Sequence, residues 1–228
     1  MAVSIAGTAS NPNTSHGSYS IVSAGNILII FMYSVPASTP NYTVSDSKAN
    51  VWTQIGSTLF NTFGGPSTSP GSAVFMAQAN SAGNTNIQFL DGLFENLAGF
   101  LLIEYAGLGI PNVVDVVNQE TGQTFGSATN QVTVPTIQNN FVDVIVSCIV
   151  DTNGSGTITA GTGFTVEVVD TNEYAVIQDN LGSGQGNRPS AFTPGGATLV
   201  NSDQNWNSHI FGLSLQSGIY KFPLVRAN

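Results

Sequence analysis

Three apolar runs constrain the fold of this chain more than any other feature of its sequence. They lie at Asn26–Tyr33, Leu97–Tyr105 and Phe141–Val150, and in each run most positions on both alternate faces are apolar. Each run is short, rich in β-branched and aromatic residues and bounded by turn residues, which favours a strand over a helix. Because a strand points successive side chains to opposite faces, these runs predict central strands that are covered on both sides.

The rest of the chain alternates between short strand-like segments and turns rich in Gly, Pro, Asn and Ser. Together with the apolar runs, this spacing predicts roughly twelve to fourteen short strands with almost no helix. The fold class expected from that pattern is all-β, an antiparallel β-sandwich or jelly roll. No linker or internal repeat is visible, so residues 1–228 are predicted to form one domain. Within it, residues 181–205 are predicted to be a mobile or interaction loop.

Four local predictions follow from composition and alternation. The segment Thr8–Ser18 is predicted to be loop because Gly, Pro, Asn and Ser dominate it. A β-hairpin is predicted over Thr43–Gly56, with its turn at Asp46–Asn50, and a second hairpin over Phe164–Gln178. Between them, the pattern weakens through Pro111–Thr129, where no strand is predicted.

The composition excludes several classes of partner. Charged residues are only 7% of the chain, and thirteen acidic residues oppose four basic ones, for a net charge of −9. Nucleic-acid binders neutralise phosphates with clustered cations, and anionic membranes attract them, so neither partner is expected. A surface of Ser, Thr, Asn and Gln is typical of proteins outside a cytoplasm, yet the N-terminus has no secretory signal pattern. A component of a virus particle would reconcile these two observations, and a trimmed secreted domain is the alternative.

The second apolar face of the central strands must be covered by something. Antiparallel sheets usually leave one face to solvent, so we expect long loops or a neighbouring subunit to cover it. On that ground the chain is predicted to be a homo-oligomer, with a trimer as one form. The single cysteine, Cys148, alternates with valines on its strand and is predicted to be buried.

Several segments resemble a known group of domains. These are Gly25–Ile29, Val44–Trp52 and Ile103–Leu108, followed by Gly161–Phe164 and Trp206–Leu215 as closing elements. Their succession resembles a widespread, mostly uncharacterised group of β-sandwich domains found in exported bacterial surface proteins and in phage structural proteins. The resemblance implies a sandwich fold and a decoration-type or fibre-type role. It supplies no catalytic residues.

Glu104 is the first candidate for chemistry, because it is the single carboxylate of the run that contains it. A carboxyl in apolar surroundings can serve as a general acid, but it can also accept hydrogen bonds from a neighbouring loop, which we favour. A glycosidase needs two facing carboxyls about 5–9.5 Å apart. Asp46, Glu120, Asp143 and Glu167 are the conceivable partners, and no spacing singles one out.

The sequence gives little support for a metal site or for a catalytic nucleophile. The two histidines, His16 and His209, have no cysteine or histidine at ligand spacing, and His209 is predicted to be a sheet residue. Two oxygen-rich segments, Asp151–Gly156 and Asp170–Glu173, are candidate Ca²⁺ sites. Both lack the remaining ligands of a calcium loop, so turn formation is the preferred interpretation. No catalytic site, metal or other cofactor is therefore predicted.

Four aromatic residues form the candidate ligand site. Trp52, Trp206, Tyr42 and Tyr174 could stack against sugar rings, with loop amides beside them; the alternative, which we favour, places both tryptophans in the core. The leading functional hypothesis is a non-enzymatic structural protein of a virus particle, a capsid decoration (cement), tail or fibre component. Its partners would be its own copies and a capsid or tail protein. The alternative is an exported carbohydrate-binding or adhesion module outside the cell or on its surface, and a glycan-acting enzyme comes third.

Overall fold

A computed structural model describes residues 3–12, 14–36, 38–62, 69–90, 98–108, 114–124, 130–131, 144–151, 159–171, 175–181, 198–199 and 204–213. Strands make up 72% of these residues and none is helical, which confirms the predicted all-β class. Accordingly, none of the described ranges holds a helix long and apolar enough to cross a membrane.

The structure describes fifteen strands, which are labelled in chain order. Their bounds are β1 Ser4–Asn11, β2 His16–Ile21, β3 Ile27–Ser34, β4 Thr43–Asp46, β5 Thr53–Phe60, β6 Gly71–Gln78, β7 Gly83–Leu90, β8 Ala98–Ala106, β9 Val114–Thr124, β10 Asn130–Gln131, β11 Val144–Asp151, β12 Thr165–Asp170, β13 Ala175–Leu181, β14 Thr198–Leu199 and β15 Gln204–Leu213.

Three antiparallel sheets contain all of these strands except the short pair β10–β14. Sheet A has the order β1-β8-β3-β6-β5, sheet B the order β2-β7-β4, and sheet C the order β12-β13-β11-β15-β9. The three apolar runs of the sequence become β3, β8 and β11, and each has a neighbour on both sides. Their prediction as central strands is confirmed, since both faces of each strand are buried.

Sheet A is the middle of three layers. Side chains of β3 alternate between two separate cores: Ile29 packs between sheets A and C, whereas Ile30 packs between sheets A and B. The same alternation divides β8, where Leu101 faces sheet C and Leu102 faces sheet B. The fold is therefore a β-sandwich of sheets A and C, extended by the smaller sheet B.

This third layer changes the basis of the oligomer prediction. The second apolar face of β3 and β8 is covered by sheet B of the same chain, through residues such as Tyr19, Ile87 and Phe89. The sequence reasoning had considered only loops or a second subunit. These two strands therefore give no ground for an oligomer, and any interface must be sought elsewhere on the molecule.

Three of the four local predictions need correction. The predicted loop at Thr8–Ser18 is largely strand, because β1 runs to Asn11 and β2 begins at His16. The predicted hairpin over Thr43–Gly56 is wrong, because β4 pairs with β7 in sheet B while β5 pairs with β6 in sheet A. The segment Pro111–Thr129 contains β9, a strand of eleven residues. The second hairpin, β12–β13, is confirmed.

The predicted loop at residues 181–205 also contains strand. Leu181 ends β13, Thr198–Leu199 pair with Asn130–Gln131, and residues 204–205 begin β15. The other positions of that interval lie outside the described residues.

Candidate functional site

Glu104 lies at the buried end of β8 and faces sheet B. Its carboxylate accepts hydrogen bonds from the Tyr19 hydroxyl at 2.6 Å and from the Asn26 side-chain amide at 2.6 Å. The backbone N–H groups of Val22 and Ser23 donate to it as well. The side chain is fully buried, so the expectation that Glu104 accepts hydrogen bonds from a neighbouring loop is confirmed. It ties the β2–β3 connection to sheet A.

None of the described carboxylates proposed as partners faces Glu104. Asp46 accepts the Trp52 indole N–H at 2.5 Å and the Lys48 backbone N–H at 2.7 Å in the β4–β5 connection. Glu120 is exposed on β9, and Glu167 belongs to β12 in sheet C, on the opposite side of sheet A. The remaining candidate, at position 143, lies outside the described residues. No pair of carboxyls that includes Glu104 is formed by the described residues.

A different pair of carboxyls lies between sheets A and C. Asp179 of β13 accepts a hydrogen bond from the Tyr105 hydroxyl at 2.7 Å, and Glu167 hydrogen-bonds to the same carboxyl. The pKa of Asp179 is raised to about 7, mainly because burial disfavours the charged carboxylate; Tyr105 lowers this pKa and the neighbouring Glu167 raises it. Burial also raises the pKa of Glu167. The two groups can share a proton, but Asp179 is only 1% exposed, so a substrate cannot reach it.

The surroundings of His209 resemble the site of a catalytic nucleophile. Its Nε2 lies 2.8 Å from the Ser72 hydroxyl, and its Nδ1 lies 2.7 Å from Nε2 of Gln119. Serine, histidine and a third polar group in a row have the outline of a hydrolase triad. The three side chains come from β6, β15 and β9, which meet where sheets A and C pack at one side of the sandwich.

The hydrogen bonds of Gln119 show that this row cannot activate Ser72. Gln119 accepts the Ser57 backbone N–H at 2.9 Å and donates to the Ser57 carbonyl at 2.6 Å, which fixes the orientation of its amide. Its Nε2 therefore donates to Nδ1 of His209, so the proton of the neutral imidazole is on Nε2 and points at Ser72. A general base needs a lone pair at that position.

Burial reinforces this conclusion. The pKa of His209 is lowered to about 3 because the ring is removed from water. Ser72 is fully buried, and its oxygen also accepts a hydrogen bond from the Asn207 amide at 3.1 Å. The cluster is a buried polar contact that joins sheet A to sheet C. The prediction that His209 is a sheet residue is confirmed.

The three described residues of the candidate aromatic site do not come together. Tyr42 is 4% exposed, packs between sheets A and B and hydrogen-bonds to Ser34. Trp206 is 5% exposed on β15 of sheet C, with its ring against Gly122 of β9. Trp52 is half-buried beside sheet B, with its indole N–H on Asp46. Tyr174 lies outside the described residues. The two buried rings cannot stack on a sugar, because both are packed inside the fold, next to different sheets.

The calcium candidates are only partly described. Asp170 is buried and accepts the Tyr33 hydroxyl at 2.5 Å, which joins β3 to β12. Asp151 is buried at the end of β11, and the positions that follow each of these two residues lie outside the described ranges. Within those ranges, no group of three or more His, Cys, Asp or Glu side chains is placed to hold a metal ion.

The outer face of sheet B is an exposed surface that carries mostly polar side chains. Asn84, Asn86 and Gln88 project outward from β7, and their neighbours on β2 and β4 are Ser, Thr and His. The pairing puts His16, Gln88 and Ser45 in one row across the three strands. A shallow groove of about 560 Å³ follows this row and extends to Asp46, Ser47 and Asn86.

This face can form hydrogen bonds with a ligand. The side-chain amides of Asn86 and Gln88 have no hydrogen-bond partner in the described part of the chain. No Asp, Glu, Lys or Arg projects from the outward positions of the three strands, and Asp46 is the one carboxylate among the described residues that line the groove. This face could not be predicted from the sequence, because His16 and Ser18 of β2 lie in the segment expected to be loop and β4 was expected to pair with β5.

The comparisons with known proteins give no relative. No family model, no curated protein and no solved structure matches this chain.

Proposed function

We propose that this chain is a non-enzymatic structural protein of a virus particle, a capsid decoration (cement), tail or fibre component. The observation that carries the proposal is the structural role of four buried ionisable groups. Glu104 anchors a loop to sheet A, Asp170 and Asp179 join sheet A to sheet C, and His209 does the same at the other side. Groups that an enzyme would aim at a substrate are here committed to holding the layers together.

The mechanism would be presentation of rigid sheet surfaces to neighbouring proteins. Three stacked sheets fix the shape, and an exterior poor in charge meets a capsid or tail protein and further copies of this chain. The net charge of −9 argues against nucleic acid and anionic membrane as partners. The protein would be located in the virion.

The test is the composition of purified particles. Mass spectrometry of virions produced from the genome that encodes this chain should find it at a fixed number of copies relative to the major capsid protein. Particles made without the gene should be less resistant to heat if the protein is a cement, or fail to attach if it belongs to the tail. The proposal fails if purified particles lack the protein.

The second candidate is an exported carbohydrate-binding or adhesion module, located outside the cell or on its surface. The observation that favours it is the groove on sheet B, which the unpaired amides of Asn86 and Gln88 line together with one carboxylate, that of Asp46. Such amides can bind the hydroxyls of a neutral sugar. A glycan array should show binding that is lost in the N86A/Q88A variant. Asn84→Ala is the matched control, because Asn84 projects from the same strand and face but lies outside the groove.

A further inference from the structure

The edges of the three sheets are protected unequally. Every edge strand of sheets A and C has an irregular register, at Ile5/Gly7 in β1, Ile55/Leu59 in β5, Val166/Val168 in β12 and opposite Gly212/Leu213 in β9. Bulges at an edge hinder pairing with a strand of another molecule. β2, an edge of sheet B, pairs with β7 over six residues without a shift. It contains no Pro, Asp, Glu, Lys or Arg.

The backbone groups on the open side of β2 can be identified from its pairing. The Phe89 N–H donates to the Ser15 carbonyl at 3.0 Å. Because the hydrogen-bonding direction alternates along a strand, the odd-numbered residues from Ser15 to Ile21 face β7. The backbone N–H and C=O groups of the even-numbered residues, which include Ser18 and Ser20, therefore point away from the sheet.

Both ends of this open edge are already capped by the chain itself. The Thr14 hydroxyl accepts the His16 N–H at 3.2 Å and donates to the His16 carbonyl at 2.9 Å. At the other end, the Val22 N–H donates to the Glu104 carboxylate at 3.0 Å. What remains is a window of Ser18 and Ser20, whose N–H and C=O groups have no partner in the described part of the chain.

We propose that β2 pairs with β2 of a second copy of this chain, antiparallel and centred on Tyr19. In that register Ser18 of one copy faces Ser20 of the other, and the reverse pair is equivalent by two-fold symmetry. Each of the two pairs exchanges two backbone hydrogen bonds, so every open group of the window is used. The next outward pair would be His16 with Val22, where both backbone groups of His16 and the N–H of Val22 are capped. The window is thus self-complementary in its length as well as its hydrogen bonds.

The chemistry of the edge agrees with a second copy as the occupant. Copies of a chain with a net charge of −9 repel each other, but β2 contains none of that charge. The two side chains at the window are both serine, so small neutral groups would face each other across the interface. Pairing would merge two three-stranded sheets into one six-stranded sheet. This interface rests on the proposed role in an assembly and names one contact of that assembly.

Charge pairs at the window test both the contact and its register. Sedimentation of the full chain from micromolar to millimolar protein should show a dimer that S18K/S20K and S18E/S20E each weaken by about tenfold or more, since like charges then face each other twice. An equimolar mixture of these two variants should restore dimers. S18K/S20E should also dimerise, because each lysine then faces a glutamate.

The matched control is T43K/S45K, which adds the same charge to exposed positions of β4 on the opposite edge of sheet B and should leave the dimer unchanged. Circular dichroism verifies folding, and S18K/S20E still tests the register if S18K/S20K does not fold. A wild-type monomer at every concentration overturns the interface. So does a dimer that neither like-charge variant weakens. Failure of the proposed function is a separate result, absence from virions, and would leave the dimer in place.

Discussion

At the scale of single residues, the buried Glu104 carboxylate accepts hydrogen bonds from four described residues, Tyr19, Val22, Ser23 and Asn26. Glu104→Gln keeps the shape of the side chain but replaces one acceptor oxygen by an NH₂, which then faces either the Tyr19 and Val22 donors or the Val22, Ser23 and Asn26 donors. We expect the free energy of unfolding to fall by about 2–4 kcal/mol, because buried donors lose a charged acceptor. Urea denaturation measures it. Tyr19→Phe, which removes one donor and leaves the others, should cost less; an equal or larger loss would contradict this account.

Asp179 and His209 make the stability depend on pH in opposite directions. The pKa of Asp179 is raised from 3.8 to about 7 by burial, so between these values the folded chain holds a proton that the unfolded chain has lost. Stability from this group is present at low pH and is lost as pH rises. The pKa of His209 is lowered from 6.5 to about 3 by burial. Between these values only the unfolded chain binds the proton, so stability increases as pH rises.

Between about pH 4 and 6.5 the two effects should nearly cancel in the wild-type protein. Asp179→Asn should uncover the histidine effect, a loss of up to about 1.4 kcal/mol per pH unit on acidification. His209→Gln should uncover the carboxyl effect, a loss of similar size as pH rises. Urea unfolding at a series of pH values measures both slopes. Slopes of the same sign in the two variants would refute the assignment.

Sequence predicted the role of Glu104 but not its donors. A single carboxylate in an apolar strand must accept hydrogen bonds when it is buried, and this can be inferred from the strand's own sequence. The Asp179–Glu167 pair gave no such signal, because it depends on the interruption of the β12 register between Val166 and Val168. The hydrogen bond between Ser72 and His209 could not be predicted from the sequence either, since it joins strands that are distant in the chain.

At the scale of elements, two Tyr–Asp bonds join sheet A to β12 and β13 of sheet C. Tyr33 bonds to Asp170, and Tyr105 bonds to Asp179. Tyr105 stands opposite Ile27 in the ladder, six residues from Tyr33 along β3, which is about 20 Å. Tyr33→Phe and Tyr105→Phe should each cost about 1–3 kcal/mol. Because the bonds are far apart, the double variant should cost their sum, measured by urea unfolding. A clear shortfall would mean that the two bonds are coupled.

Alternation predicted strands better than it predicted their partners. β4 and β5 have strand-like sequences joined by a turn at Asp46, which the sequence could only interpret as a hairpin. In the structure the same connection passes from sheet B to sheet A. Val44 packs in the core between sheets A and B, whereas Ile55 packs in the core between sheets A and C. The choice depends on which core each strand enters, and local sequence contains no information about that. β9 was missed because its exposed edge position does not require an apolar pattern.

At the scale of the whole molecule, the apolar runs predicted burial on both faces and left open what provides it. β3 and β8 need apolar side chains on both faces whether the second face is covered by a third sheet of the same chain or by a second subunit. Sequence periodicity therefore cannot distinguish them. The distinction arises from β2 and β7, whose alternating polar residues give no sign of which sheet they cover.

Sharing sheet A between two cores should make the protein unfold as one unit. Ile29 and Ile30 are adjacent on β3 and fully buried, but they belong to different cores. Ile29→Ala and Ile30→Ala should each lower the free energy of unfolding by about 2–5 kcal/mol. Both should shift one common transition, because loss of either core removes a face from the same central strands. Hydrogen exchange monitors the layers separately: if Ile30→Ala released the amides of β7 while those of β11 stayed protected, sheet B would be an independent unit and the shared-sheet account would be wrong.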